Sequence, residues 1–204
     1  MTIRGAPFVG NCHTPVAGVR PGISVSLRRA EPADIPALRS LVHRAVRGLA
    51  VRDYPEPLLD EALDGPLGLD EVLIADGTYF VAIAGDEADA PFVGAGGWSR
   101  RLPDQEDPCH KESETFADPR TSSARIRAFF VDPAYAGRGV GALILSRCLV
   151  EACNAGFRRA ELIATLTGEQ LYAKAGFRTI DRMDAVLPSG RAFPVVRMER
   201  ELRG

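Results

Sequence analysis

Hydrophobic and polar positions along this chain follow two rhythms, and their order sets the expected architecture. Ile23, Val25 and Leu27 alternate with serines, the period of a half-buried strand. Ile35, Leu38, Leu41, Val42, Ala45, Val46 and Leu49 then recur at helical spacing. Pro32 stands near the start of that helix, where its missing N–H costs little. Tyr54, Pro55 and Pro57 break the helix, and a second short one is expected over 58–63, with a further turn around 70–75. Residues 78–84 (TYFVAIA) and 92–101 (FVGAGGWSRR) read as strands, and the Gly-Asp-rich gap between them can make a hairpin. Residues 102–123 are polar with no apolar period. A loop of about twenty residues in a compact domain is unusual, and it is either a functional lid or disordered.

The second half is more regular. A strand at 125–131 (RIRAFFV) ends at Asp132-Pro133, and a glycine-rich turn leads into a helix over 139–155. Val140, Leu143, Ile144, Cys148 and Ala152 mark its buried stripe, and Gly156 is placed to end it. A strand at 161–165, a short helix at 169–175 closed by Gly176, and strands at 179–187 and 193–202 follow. The order β-α-α-β-β-β-α-β-α-β-β predicts one mixed α/β domain over 23–204 without internal repeats. Residues 1–22, rich in Gly and Pro and lacking either period, read as an irregular arm.

Composition removes several classes of function. A net charge of −2 offers no broad basic field for nucleic acid or an anionic membrane. No run approaches the ~20 apolar residues of a membrane span, and Gly, Pro and polar residues interrupt every apolar run before Ser24, so a signal peptide is not expected. The expectation is a cytoplasmic protein. Cys12, Cys109, Cys148 and Cys153 form no CxxC pair and read as free thiols of a reducing compartment. Cys109-His110 has no second pair at ligand spacing, so no metal site is expected.

Candidate chemistry begins at Ala136-Gly137-Arg138-Gly139-Val140-Gly141-Ala142, between a strand and a helix. Glycines there let the main chain adopt φ > 0 and approach a ligand closely. The following helix offers free N–H groups and a positive dipole end, an anion cradle suited to pyrophosphate. Arg138 can add charge-assisted hydrogen bonds. A tight strand-to-helix turn with close packing would use the same residues. The spacing is neither a Walker loop nor a Gly-x-Gly-x-x-Gly dinucleotide turn.

Phe129-Phe130-Val131-Asp132-Pro133, the glycine turn, and Leu171-Tyr172-Ala173-Lys174-Ala175-Gly176-Phe177 some thirty residues on from the turn together resemble the GNAT superfamily of N-acetyltransferases. The element order matches over 23–202; the specific motifs cover 125–177. The resemblance implies a single-domain α/β fold with a mixed, mostly antiparallel sheet flanked by helices, and a bulged strand splayed from its neighbour. It implies acetyl-CoA as acyl donor. Phe129, Phe130 and Val131 would pair with the pantetheine arm, and residues Gly137, Arg138, Gly139, Val140, Gly141 and Ala142 would hold the pyrophosphate. Thr165 and Tyr172 would complete the cofactor site. Tyr172 would protonate the departing thiolate, and the Val131 N–H would stabilise the oxyanion.

Several positions depart from the family pattern. The Arg or Gln that opens its phosphate turn falls at Ala136, and Thr165 and Gly168 stand where relatives often carry Asn and Ala. The Glu general base of many relatives falls at Arg125, whose guanidinium stays charged and cannot act as a base. The amine proton would then leave through water, Glu161, Glu114 or Asp118. Trp98, Arg100, Arg125 and Arg127 are candidates for the acceptor side, and period 2 puts Arg125, Arg127 and Phe129 on one face. The two arginines either receive an anionic acceptor or pair with local acids, and Trp98 also reads as a packing residue. The expected acceptor is a small-molecule amine. A protein amine, or a sensor that binds acetyl-CoA without turnover, is the alternative, and the oligomeric state, a homodimer included, is left open.

Overall fold

Seven strands form one sheet with helices on both faces, in the order β1-β2-β3-β6-β7-β9-β8. The computed structural model describes residues 24–85, 90–104 and 112–202, so the expected arm at 1–22, Ile23, Cys12 and the Cys109-His110 pair lie outside the described residues. The strands of the sheet are β1 (Val25–Arg29), β2 (Tyr79–Ala84), β3 (Phe92–Ser99), β6 (Ala124–Val131), β7 (Arg159–Thr165), β8 (Arg178–Val186) and β9 (Ala192–Glu201). Every neighbouring pair runs antiparallel except β6 and β7.

The predicted first helix is α1 (Ile35–Leu49), entered through a 3-10 turn at Pro32–Asp34. It buries Leu38, Leu41, Val42, Ala45 and Val46 against one face of the sheet, each large side chain contributing about 1.5–3 kcal/mol. Two short helices, α2 (Glu56–Leu63) and α3 (Glu71–Ala75), share clusters with that face. The opposite face is covered by α4 (Val140–Asn154), where Leu145 and Leu149 join Val140, Ile144, Cys148 and Ala152 in the core. Leu143, expected in that stripe, is only half-buried. A last helix, α5 (Glu169–Lys174), follows β7. Among the described residues no helix is long and apolar enough to cross a membrane.

Residues 102–123 are not one long loop. β3 ends at Ser99, and a separate two-stranded hairpin follows, made of β4 (Arg101–Pro103) and β5 (Glu112–Phe116). Its sequence ESETF carries no apolar alternation because it stands outside the main sheet. Charge and ring contacts anchor it instead. Arg101 reaches Asp76 at the end of α3 through two hydrogen bonds of 2.6 and 2.7 Å, and the Arg100 and Arg101 guanidinium groups lie 4.7 and 5.0 Å from the Phe116 ring centre.

Two irregularities position the site. β6 pairs with β7 only through Ala124–Ala160, Arg125–Glu161 and Ile126–Leu162; beyond them the strands part. β7 is held on its far side, because Tyr54 Oη accepts from Leu166 N and donates to the Pro194 carbonyl, both at 2.7 Å. Within β6, Ala128 and Phe129 together stand opposite Gly96 alone, between the pairs Gly97–Arg127 and Ala95–Phe130, which is a β-bulge. Ala128 at its centre has φ 54°, the one positive φ outside glycine among the described residues.

Candidate functional site

The bulge decides which groups of β6 face the gap. Asp132 N donates to Val93 O at 3.0 Å, and N–H directions alternate along an antiparallel strand. The Val131 N–H therefore points away from β3, toward the edge that β7 has left. The expected grouping of Arg125, Arg127 and Phe129 on one face is corrected by the bulge, because the extra residue reverses the alternation. Arg127 faces the α1 side, where its Nε lies 3.1 Å from Asp70. Phe129 instead joins the cluster under α4, edge-on to Tyr172 with ring centres 6.0 Å apart. Phe130 turns its ring into the core on the α1 side.

The glycine turn follows at once. Gly137 and Gly139 have φ of 71° and 94°, values a side chain would strain. The Asp132 side chain accepts from Ala134 N at 3.0 Å, and Arg44 of α1 donates to the same carboxylate at 2.9 Å. The N–H groups of Gly137, Gly139, Val140, Gly141 and Ala142 donate to no backbone carbonyl among the described residues. They cluster at the positive end of a 15-residue helix, an arrangement that binds anions. Arg138 lies over the Tyr135 ring, 5.7 Å from its centre. Gly141 has a different reason: a Cβ there would come 3.1 Å from Leu171 Cδ2, so this glycine lets α4 pack against α5.

Tyr172 lies between Phe129 and Phe177 and is only 7% exposed. Burial pushes its phenol well up from the ordinary value, so the hydroxyl stays protonated. That hydroxyl makes no hydrogen bond among the described residues. Thr165 ends β7 and its Oγ1 accepts from Gly168 N at 3.1 Å, closing the turn into α5.

The four acceptor candidates do not come together. Trp98 is buried under α4, edge-on to Phe157, on the face away from Arg127. Arg100 covers Phe116 on the hairpin. Arg125 and Arg127 do share a cluster, which includes a residue the motif reading passed over. Glu112 of β5 puts Oε1 3.4 Å from both guanidinium groups, and its other oxygen accepts a short hydrogen bond from Ser99. The two arginines thus meet the local acids Glu112 and Asp70. Burial raises the Glu112 carboxyl, against the pull of Arg127, Ser99 and Arg125. Burial likewise lowers Arg125, with Arg127 next. Both shifts have burial as their first cause, as a nearly dry pair requires. Of the other carboxylates considered, Glu161 pairs with Arg197 at 3.2 Å and Asp118 accepts from Arg120 N at 2.9 Å.

Comparison with known proteins agrees with this geometry. The family model described as an acetyltransferase (GNAT) domain matches residues 75–179, just over half of the 204-residue chain. Among solved structures, a GCN5-related N-acetyltransferase from Rhodopseudomonas palustris is 19% identical, with 93% of this chain and 99% of that one covered and a TM-score of 0.63. The PaiA N-acetyltransferase from Thermoplasma acidophilum, solved in complex with coenzyme A, is 14% identical with 87% and 99% covered and a TM-score of 0.60. An N-acetylglutamate synthase from Neisseria gonorrhoeae is 20% identical, with 89% of this chain and 36% of that one covered and a TM-score of 0.55. No curated protein sequence matches the chain.

Proposed function

The chain belongs to the GNAT acetyltransferase family, and from that premise we propose that it transfers an acetyl group from acetyl-CoA to the primary amine of a small molecule, with Tyr172 as the acid. The observation that carries this reading is the group of five amides at the left-handed glycine turn that donate to no backbone carbonyl among the described residues, directly after a strand whose partner has parted from it. A pyrophosphate suits the amides. An extended amide-bearing arm suits the free edge of β6, where main-chain groups pair as one strand pairs with another.

In the reaction, the amine nitrogen bonds to the thioester carbonyl carbon and the carbon–sulfur bond breaks. Holding both partners in the gap removes the entropic part of the barrier. The Val131 N–H is directed to where negative charge collects on the carbonyl oxygen. The departing thiolate takes its proton from the Tyr172 hydroxyl, and the proton that the new amide gives up returns through water to the Tyr172 phenolate. A small acceptor fits the surroundings, because Glu112, Asp70 and Glu161 are each paired with an arginine.

Thermal unfolding with added CoA or acetyl-CoA tests the reading. A ligand that binds only the folded state at 100 times its Kd adds about 2.7 kcal/mol, and a raised Tm is expected. Gly139→Glu forces a side chain onto a φ of 94° and sets a negative charge against the phosphates, so the shift should vanish. An unchanged Tm for the wild type at saturating acetyl-CoA, or an unchanged shift in the variant, refutes the assignment. Thiol release across a panel of amines then names the acceptor.

A further inference from the structure

β3 carries the sequence Gly94-Ala95-Gly96-Gly97, and three of these glycines sit under particular side chains. A Cβ on Gly94 would come 2.6 Å from Val140, so this glycine seats α4. The adjacent pair serves β6. A Cβ on Gly96 would come 2.7 Å from the Phe129 ring, and one on Gly97 would come 2.7 Å from Tyr79 Cδ2. Successive side chains of a strand leave opposite faces. The two glycines therefore clear space on both sides of β3, for Phe129 under α4 and for the Tyr79 ring on the α1 side.

Tyr79 uses that space to reach across β3. It starts β2, pairs with Gly97, and is 0% exposed. Its Oη donates to the carbonyl of Ala128 at 2.8 Å. Ala128 is the left-handed residue at the centre of the bulge, a conformation in which an L side chain crowds the carbonyl oxygen and which alanine disfavours. Something must hold it there. Burial raises the Tyr79 phenol, so it stays a donor to this carbonyl.

We infer that Tyr79 is a positioning residue for acyl-CoA: through the Ala128 carbonyl it keeps β6 bulged, and so keeps the Val131 amide and Phe129 turned to the cleft. Without the bulge, the strand would slip by one residue there and each side chain and N–H would change sides. The inference rests on the acyl-CoA reading of the cleft. It assigns Tyr79 no contact with the reacting atoms.

Tyr79→Phe keeps the ring and removes the donor. The variant is expected to bind CoA about tenfold more weakly, equivalent to ~1.4 kcal/mol. Its KM for acetyl-CoA should rise by a similar factor, and kcat should fall with it, because the Val131 N–H that the bulge aims is the oxyanion donor. Ala128→Gly removes the left-handed penalty, so the double variant Tyr79→Phe/Ala128→Gly should recover the CoA affinity of Ala128→Gly alone. One readout needs no ligand: the Asp132 amide, which donates to Val93 O in the bulged register, should exchange faster in Tyr79→Phe and slow again in the double variant. Wild-type affinity and exchange in Tyr79→Phe, with only a lower Tm, would return the residue to plain packing and overturn the proposal. So would a double variant that stays as weak as Tyr79→Phe. If Tyr79→Phe does not fold, the double variant decides, because it must fold and bind if the hydroxyl serves the bulge. If the wild type itself fails to bind CoA, the cofactor reading falls, and the exchange pattern alone judges the clamp.

Discussion

Replacing Tyr172 with phenylalanine separates chemistry from packing more sharply than any other change at this site. The ring contacts survive, since Phe129 and Phe177 meet its edges and faces at 6.0 and 5.9 Å between centres. The lost hydroxyl has no hydrogen-bond partner among the described residues, so its removal orphans nothing and stability should move by less than about 1 kcal/mol. General acid catalysis contributes ~10²–10⁴-fold, or about 2.7–5.4 kcal/mol of barrier at ~1.36 kcal/mol per decade. The expected result is therefore a fall of kcat by two to four decades, roughly, with Tm and CoA affinity nearly unchanged. Thiol release measured with a turned-over amine, alongside thermal unfolding and CoA titration, checks all three. The raised phenol pKa adds a second expectation, that the wild-type rate shows no loss from Tyr172 ionisation up to about pH 10. Wild-type kcat in folded Tyr172→Phe would refute the assignment, and so would a drop in Tm that accounts for the lost activity.

Two further predictions concern charges. Glu112→Ala leaves the Arg125 guanidinium, 8% exposed, without the carboxylate at 3.4 Å, and breaking a buried pair from one side should cost ~3 kcal/mol in chemical denaturation; a loss below about 0.5 kcal/mol would mean that the cluster is wet and weak. Arg101 beside Asp76 holds that carboxyl below its ordinary value. Its contribution is complete above the unfolded carboxylate pKa of about 4 and is lost as pH falls through the lower folded value. Asp76→Asn should therefore remove part of the acid-side decline in stability, and an unchanged acid limb would contradict the pairing. Glu112 runs with the opposite sign: burial raises it, so its charging works against the fold as pH climbs from the unfolded value to the raised one.

What could be read from the sequence follows from how local each cause is. The glycine turn was legible because Gly137 and Gly139 answer to their own φ angles, and α1 was legible because burial repeats along one helix. The β4–β5 hairpin was not, since ESETF has no apolar rhythm and its anchors, Asp76 and Ser99, lie elsewhere in the chain. Glu112 was hidden for the same reason: nothing in residues 112–116 announces the two arginines it meets. The bulge left no mark at Ala128 itself. A mark stood two strands' width away in sequence terms, at Gly96 and Gly97, because glycines inside a strand signal a close approach. Reading them would have warned that Phe129 could not share a face with Arg127.

The parted strands have a thermodynamic consequence. β7 is held to β9 along its whole length, and Tyr54 ties down the first amide beyond it, so its upper half has no need to leave β6 when a ligand arrives. An incoming chain strips no ladder from the protein and finds the β6 edge already aimed at it. The ordering entropy of association then falls on the flexible arm of the ligand and scarcely on the enzyme, and the backbone should move by less than about 1 Å between free and bound forms. Association under these conditions is paced by encounter and threading, and the strength of the complex is written in how slowly the arm slides out again.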